Sequence, residues 1–208
     1  MEFEFSGGTI RFSKELSDLD EFVIGLVRII DQVEIKYSVI SGYLAILFGR
    51  PRVTEDVDVF IEDIDYPRFK KFYDILIERG YEFINSTNPE DLYHNYLKES
   101  LGIRAVKLGS VFPNMEIKLA KSKLDKTSLE KRIAIEFSGN RIWTSGLELQ
   151  IAFKLYLGAR KDIEDARFLF KLFEDKLDSA EIERYAIELG CRGKLRFLGD
   201  EYGKRKNV

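Results

Sequence analysis

Apolar residues recur along the chain with two different periods, and the switches between them mark out its elements. Alternating residues at 3–5 and Thr9–Phe12 predict a short strand pair. Leu19, Phe22, Val23, Leu26, Ile29 and Ile30 then follow helical spacing behind Ser17 or Asp18 as the cap. Tyr37–Ile40 reads as a strand ended by Ser41-Gly42, and residues 43–48 as a short helix stopped by Gly49. Asp56–Ile61 alternates as a strand. Pro67 suits the first turn of a helix running to Arg79, with Gly80 at its end. A strand at 81–84, a helix near 89–99 and paired strands at 103–108 and 111–119 come next. Ile133–Phe137 and residues 141–144 predict a hairpin around Gly139-Asn140. From Leu147 the pattern is helical to about Gly190. Strands and helices do not alternate regularly, so the expected class is α+β with a helical C-terminal part rather than a doubly wound parallel sheet.

Composition narrows the picture. The 208 residues, 45% of them apolar, suffice for one sizeable core, or a core plus a small helical annex. With 33% charged residues and a net charge of -3, the chain is not a globally basic nucleic-acid glove. A single cysteine, Cys191, allows no intrachain disulfide and suits a reducing, cytoplasmic setting. A lone histidine, His94, excludes a His-rich zinc site. The first residues lack the apolar core of a signal peptide, and the apolar runs are too short to span a bilayer. Glutamine occurs only at Gln32 and Gln150 while Lys, Glu, Ile and Arg abound, a bias that suits a thermophile.

Asp56-Val57-Asp58-Val59 is the most informative tetrad. Residues two apart on a strand point the same way, so both carboxylates project from one face while Val57 and Val59 enter the core. Paired carboxylates repel unless a cation lies between them, and a hard ion such as Mg²⁺ takes oxygen ligands while keeping room for substrate phosphates. Alone, D-x-D also describes a solvated acidic face. Ser41-Gly42, sixteen residues before Asp58, opens a short helix whose free N–H groups suit a phosphate. The two features form one site if the Asp58 strand lies beside the Tyr37–Ile40 strand.

Taken together, Tyr37 to Asp58 resembles the signature of the nucleotidyltransferase (polymerase-beta-like) superfamily. The nearest group is the AbiEii-like minimal nucleotidyltransferases, with a small-residue turn, an R-x-T-x-D-h-D strand entrance and a later helical K-D-x-x-D stretch. Arg52, Thr54, Asp56 and Asp58 match that entrance position by position, and Ser41-Gly42 occupies the small-residue pair with Ser first. The resemblance implies a mixed sheet flanked by helices: a catalytic domain over residues 1–145 and a helical region over 146–208 packed on it. It implies Mg²⁺, as two ions, and transfer of an NMP group from an NTP to the hydroxyl of an RNA end such as tRNA, a protein or a small molecule. A role with a partner protein in a toxin–antitoxin pair is part of the same implication. Ser41, Gly42, Arg52 and Thr54 would bind the nucleotide, and Asp56 and Asp58 the metal.

The superfamily adds a third carboxylate on a later strand, and Glu116 is the candidate for both metal binding and catalysis. Its plain alternative is an exposed strand residue paired with Lys118. The second matching stretch, Glu148 to Asp165, contains Lys154 and K-D-x-x-D at 161–165. Lys154 is expected to face the Asp56–Asp58 cleft and neutralise triphosphate charge. Asp165 is expected to act with it, while Lys161 and Asp162 suit structural tasks, Asp162 as a helix cap. His94 reads as a surface residue, Cys191 as structural, and Trp143 and Tyr156 as core or interface. Lys204, Arg205 and Lys206 read as a charged terminus. The rival to an enzyme is a catalytically weak binding or regulatory module that keeps the fold.

Overall fold

A computed structural model describes residues 2–52, 54 and 56–199. Lys204, Arg205 and Lys206 lie outside the described residues. Two compact units emerge, one of Met1–Tyr43 with Val53–Ser145, the other of Leu44–Arg52 with Gly146–Val208. Leu44–Arg52, most of α2 (Gly42–Leu47) and the turn after it, therefore groups with the helical part.

In the first unit the described residues form one nine-stranded mixed sheet. Its strands are β1 (Glu4–Ser6), β2 (Thr9–Phe12), β3 (Tyr37–Ile40), β4 (Asp56–Ile61), β5 (Tyr81–Phe83), β6 (Ile103–Lys107), β7 (Asn114–Leu119), β8 (Ile133–Phe137) and β9 (Asn140–Thr144). Their spatial order is β1-β2-β8-β9-β3-β4-β7-β6-β5. β2–β8, β3–β9 and β4–β7 pair parallel, and the other neighbours antiparallel. Helices α1 (Asp18–Gln32) and α3 (Tyr66–Glu78) bury the stripes that their spacing predicts, Phe22, Leu26 and Ile30 on one and Phe69, Phe72 and Leu76 on the other. Apolar burial of this kind is worth roughly 1.5–3 kcal/mol for each large side chain. Asp65 caps α3 by accepting from the Arg68 amide, with a proline in the first turn. The helix predicted near 89–99 forms, as a short α4 (Pro89–Asp91) continued by π-helical backbone over Leu92–Leu97. Helix α5 (Lys123–Glu130) was not foreseen.

Ser17 and Asp20 form a reciprocal capping box at the start of α1. Asp20 is fully buried, and its carboxylate accepts from Ser17, from the Tyr43 hydroxyl at 2.9 Å and from Lys14 at 2.7 Å. Burial acts to raise its pKa, but Lys14, Ser17 and Tyr43 outweigh that and hold the carboxyl below its ordinary value. The folded state therefore binds this proton less readily than the unfolded chain. The stability Asp20 supplies is complete above the unfolded pKa of about 3.9 and is lost as pH falls through the lower folded value. Asp20→Asn is expected to cost about 2 kcal/mol at neutral pH and to flatten the acid limb. Urea unfolding from pH 7 down to 3 measures both, and parallel curves for parent and variant would contradict the assignment.

The second unit contains α2's later residues (α2 is Gly42–Leu47), α6 (Leu147–Leu157), α7 (Arg160–Leu172), α8 (Ser179–Glu188) and a 3₁₀ stretch, Arg192–Leu198. Leu147, Ile151 and Leu155 of α6 are buried, with Leu169, Phe170, Phe173, Ile182 and Tyr185. Gly158 ends α6 in the left-handed conformation, φ 72°, which costs glycine little. Cys191 is buried here, its thiol 3.7 Å from the Ala152 carbonyl. Among the described residues no helix is long and apolar enough to cross a membrane.

Candidate active site

β4 sits between β3 and β7, and this placement assembles the first unit's polar face. Ile40 opposes Asp58 across the antiparallel β3–β4 pair, so the Ser41-Gly42 turn begins where the second aspartate stands. Across the parallel β4–β7 pair, Asp56 faces Asn114, Asp58 faces Glu116 and Phe60 faces Lys118. Val57, Val59 and Ile61 are buried, while Asp56 and Asp58 lie on the other face of the strand. β6 adds Arg104 opposite Glu116.

Asp58 and Glu116 stand opposite each other across the β4–β7 pair, close enough for their charges to couple, and the Ser41 side chain bonds Asp58. Burial pushes the Asp58 carboxyl up, Lys118 opposes this and the Glu116 charge adds to it. Burial also acts to raise Glu116, but Lys118 and Arg104 outweigh it, and this carboxyl is held below its ordinary value. The Lys118 ammonium lies 2.5 Å from Glu116 Oε2 and 3.6 Å from Asp58 Oδ1. Arg104 lies 3.0 Å from Glu116 Oε1. Asp56 Oδ1 accepts from Asn114 Nδ2 at 2.6 Å. Ser41 holds the left-handed conformation, φ 70°, which is uncommon for a residue with a Cβ. Such strain persists where the surroundings enforce it, and it gathers at functional sites.

Sequence reasoning missed Gly102. A Cβ there would fall 2.7 Å from Glu116 Cγ and 2.8 Å from its Oε1, so the empty space beside Gly102 is what admits the Glu116 side chain. The only signal available was a glycine just ahead of an apolar strand. If Glu116 serves the site, Gly102→Ala displaces it by about an ångström and is expected to lower activity about 100-fold with a near-parental melting curve. An alanine variant as active as the parent would remove Glu116 from the chemistry.

A divalent ion fits this donor set. Two carboxylates from adjacent strands meet at a point where the protein itself now places a cation, the Lys118 ammonium. Among the described residues no three acidic, histidine or cysteine side chains gather as a metal cage. Mg²⁺ needs none, since it usually takes one or two carboxylates plus substrate phosphates and waters.

The Thr54 hydroxyl donates to the Asp56 carbonyl at 3.0 Å, joining the strand entrance to the strand itself. Arg52, Lys154 and Asp165 belong to the second unit. There Asp165, fully buried, accepts from Arg50 and Arg52, and Lys154 Nζ lies 3.0 Å away. Lys154 also donates to Asp162 at 2.8 Å. Asp162 is therefore an ion-pair partner and not the expected cap, because the N-cap of α7 is Ala159, which makes no side-chain cap bond. Lys161 is exposed. His94 is exposed and stacks on Tyr66 with ring centroids 5.7 Å apart. Trp143 is half-buried beneath Arg132, and Tyr156 is exposed.

Neither protein-family models nor curated protein sequences give a match to this chain. Solved structures do. A crystal structure of an antigenic nucleotidyltransferase-like protein from Paracoccidioides brasiliensis aligns with TM-score 0.51 and 18% identity, over 87% of this chain and 90% of that one. The solution structure of the antibiotic-resistance factor ANT(2'')-Ia aligns with TM-score 0.53 and 12% identity, over 85% and 95% of the two chains. A crystal structure of ANT(2'')-Ia in complex with adenylyl-2''-tobramycin gives TM-score 0.53 and 13% identity, over 82% and 96%. At these identities the likeness establishes architecture: the chain has a nucleotidyltransferase-like fold, with a mixed sheet flanked by helices.

Proposed function

We propose that this chain is a Mg²⁺-dependent nucleotidyltransferase that moves an NMP group from an NTP to an acceptor hydroxyl and releases pyrophosphate. The observation that carries the reading is the meeting of Asp58 and Glu116 on adjacent strands beside the strained Ser41-Gly42 turn, within a fold shared with nucleotidyltransferase-like proteins. Asp58 and Glu116 would hold the metal, with Asp56 on the same face. When bound, Mg²⁺ supplies positive charge to the triphosphate and to the departing pyrophosphate. The chain's own contributions are positional. The Ser41 hydroxyl orients Asp58, Asn114 fixes one oxygen of Asp56, and Gly102 leaves room for Glu116. Glu116, the carboxyl that Lys118 and Arg104 hold below its ordinary value, would be ionised and ready to serve as a metal ligand. Arg52 and Thr54 stay in the proposal as nucleotide-binding positions. Lys154 and Asp165 enter it as supports for Arg50 and Arg52 within their own unit.

The acceptor is an RNA end, a protein side chain or a small molecule. The AbiEii-like resemblance favours a cytoplasmic toxin–antitoxin setting, while ANT(2'')-Ia, solved with adenylyl-2''-tobramycin, favours a small molecule. Incubation with each labelled NTP, Mg²⁺ and cellular RNA, protein or aminoglycoside tests the reading. Label appearing on one acceptor class supports it, and no transfer with any NTP overturns it. One observation favours the rival, a binding module with weak catalysis: Glu116 stands where Asp is usual and already carries two protein cations. That module would bind an NTP and leave every acceptor unlabelled.

A further inference from the structure

We infer that Lys118 is a built-in cation of this site, occupying one of the two places that a metal pair would fill, so that the chain takes one divalent ion fewer than a lysine-free site. The inference rests on the reading of Asp58 and Glu116 as a divalent-ion site. Asn114, Glu116 and Lys118 alternate along β7, so all three stand on the face that β4 supplies with Asp56 and Asp58. The ammonium is 2.5 Å from one Glu116 oxygen and 3.6 Å from one Asp58 oxygen, which is where an ion shared by the two carboxylates would lie. A divalent ion cannot occupy that point while the ammonium does, because overlap and like charge both forbid it.

The charge count agrees. Asp56, Asp58 and Glu116 set three ionisable carboxyls against two cations, Lys118 and Arg104, on the same face. One divalent ion more than offsets the remaining negative charge. A second would leave the face strongly positive before any triphosphate arrived. Arg104 binds the opposite oxygen of Glu116, so it does not compete for the shared point. Lysine suits the task because its ammonium is a compact point charge on a flexible stem, unlike the planar arginine fork. With 38% of its side chain exposed, Lys118 stands outside the buried core, and its replacement leaves that core untouched.

Mn²⁺ binding to the chain, followed by the electron paramagnetic resonance of the free ion, tests this without nucleotide or turnover. Lys118→Met is expected to bind one more Mn²⁺ per chain than the parent. Lys118→Arg keeps the charge and is expected to retain the parental number. Adding Glu116→Gln to Lys118→Met is expected to abolish the extra ion. Equal numbers in the parent and Lys118→Met overturn the inference, as does an extra ion that survives Glu116→Gln. Absence of label transfer would strike the proposed activity and leave the ion count standing, whereas equal ion counts would strike this inference and leave the activity intact.

Discussion

Asp58→Asn is expected to lower Mg²⁺-dependent label transfer at least about a thousand-fold while the fold survives. The asparagine keeps the shape of the side chain and its place opposite Glu116, so packing on β4 between Val57 and Val59 is unchanged. What disappears is the charge that Mg²⁺ requires and one of the two oxygens that could bind it. The stability effect has a different sign. Burial already disfavours the Asp58 charge and Glu116 disfavours it further, with Lys118 offering partial compensation. A neutral isostere relieves that cost, so in metal-free buffer the melting midpoint should equal the parent's or rise slightly. Melting curves with and without Mg²⁺ complete the test, because the parent should gain stability from the ion and the variant should not. Unaltered transfer, or a variant that unfolds at the bench, would remove Asp58 from the proposed role.

Much of this arrangement is legible in the residues themselves. The D-x-D strand announces its facing by the period of two. Ser17 marks the start of α1, Pro67 and Gly80 bracket α3, and Gly139-Asn140 marks the β8–β9 turn. These signals are local, encoded in capping chemistry, proline geometry and glycine's access to positive φ. The three parallel pairings are not local. β4 finds β7 and β3 finds β9 across long stretches of chain, and the choice among candidate partners is made by packing. Helix α5 escaped because only Ser128 and Leu129 are buried along it, leaving no apolar stripe. Its one signature was the capping box formed by Ser122 and Asp125, a pattern easily passed over in a polar stretch. Gly102 escaped for a different reason. Its importance depends on where a side chain of β7 points, which no pattern around residue 102 records. Asp165 was singled out as a catalytic candidate by its motif, but the pairing with Arg50 and Arg52 joins residues more than a hundred positions apart.

That pairing carries the second large effect. Asp165→Ala is expected to cost about 3–5 kcal/mol of stability, the range found when one partner of a buried ion pair is removed. The carboxylate is fully buried, and it faces Lys154, itself 2% exposed, together with Arg50 and Arg52, whose side chains are only 15% and 12% exposed. Removing it leaves three cations close together with Asp162 on Lys154 and Glu164 on Arg50 as the remaining counter-charges. Arg52 is left without Asp165, the carboxylate it pairs with, and the segment Leu44–Arg52 loses two of its ties within the second unit. The lysine offers a control. Lys154→Met replaces a buried ammonium by an apolar chain of similar length, and Asp165 keeps both arginines, so this variant should lose less. In the double variant the missing carboxylate no longer strands a buried ammonium, so Lys154→Met should recover part of the Asp165→Ala loss, giving a coupling of about 1–3 kcal/mol. Urea denaturation of the four proteins measures the cycle, with the m-value showing whether unfolding stays two-state. A loss below about 1 kcal/mol for Asp165→Ala, the range of exposed pairs, would mean that solvent rather than the protein balances these charges.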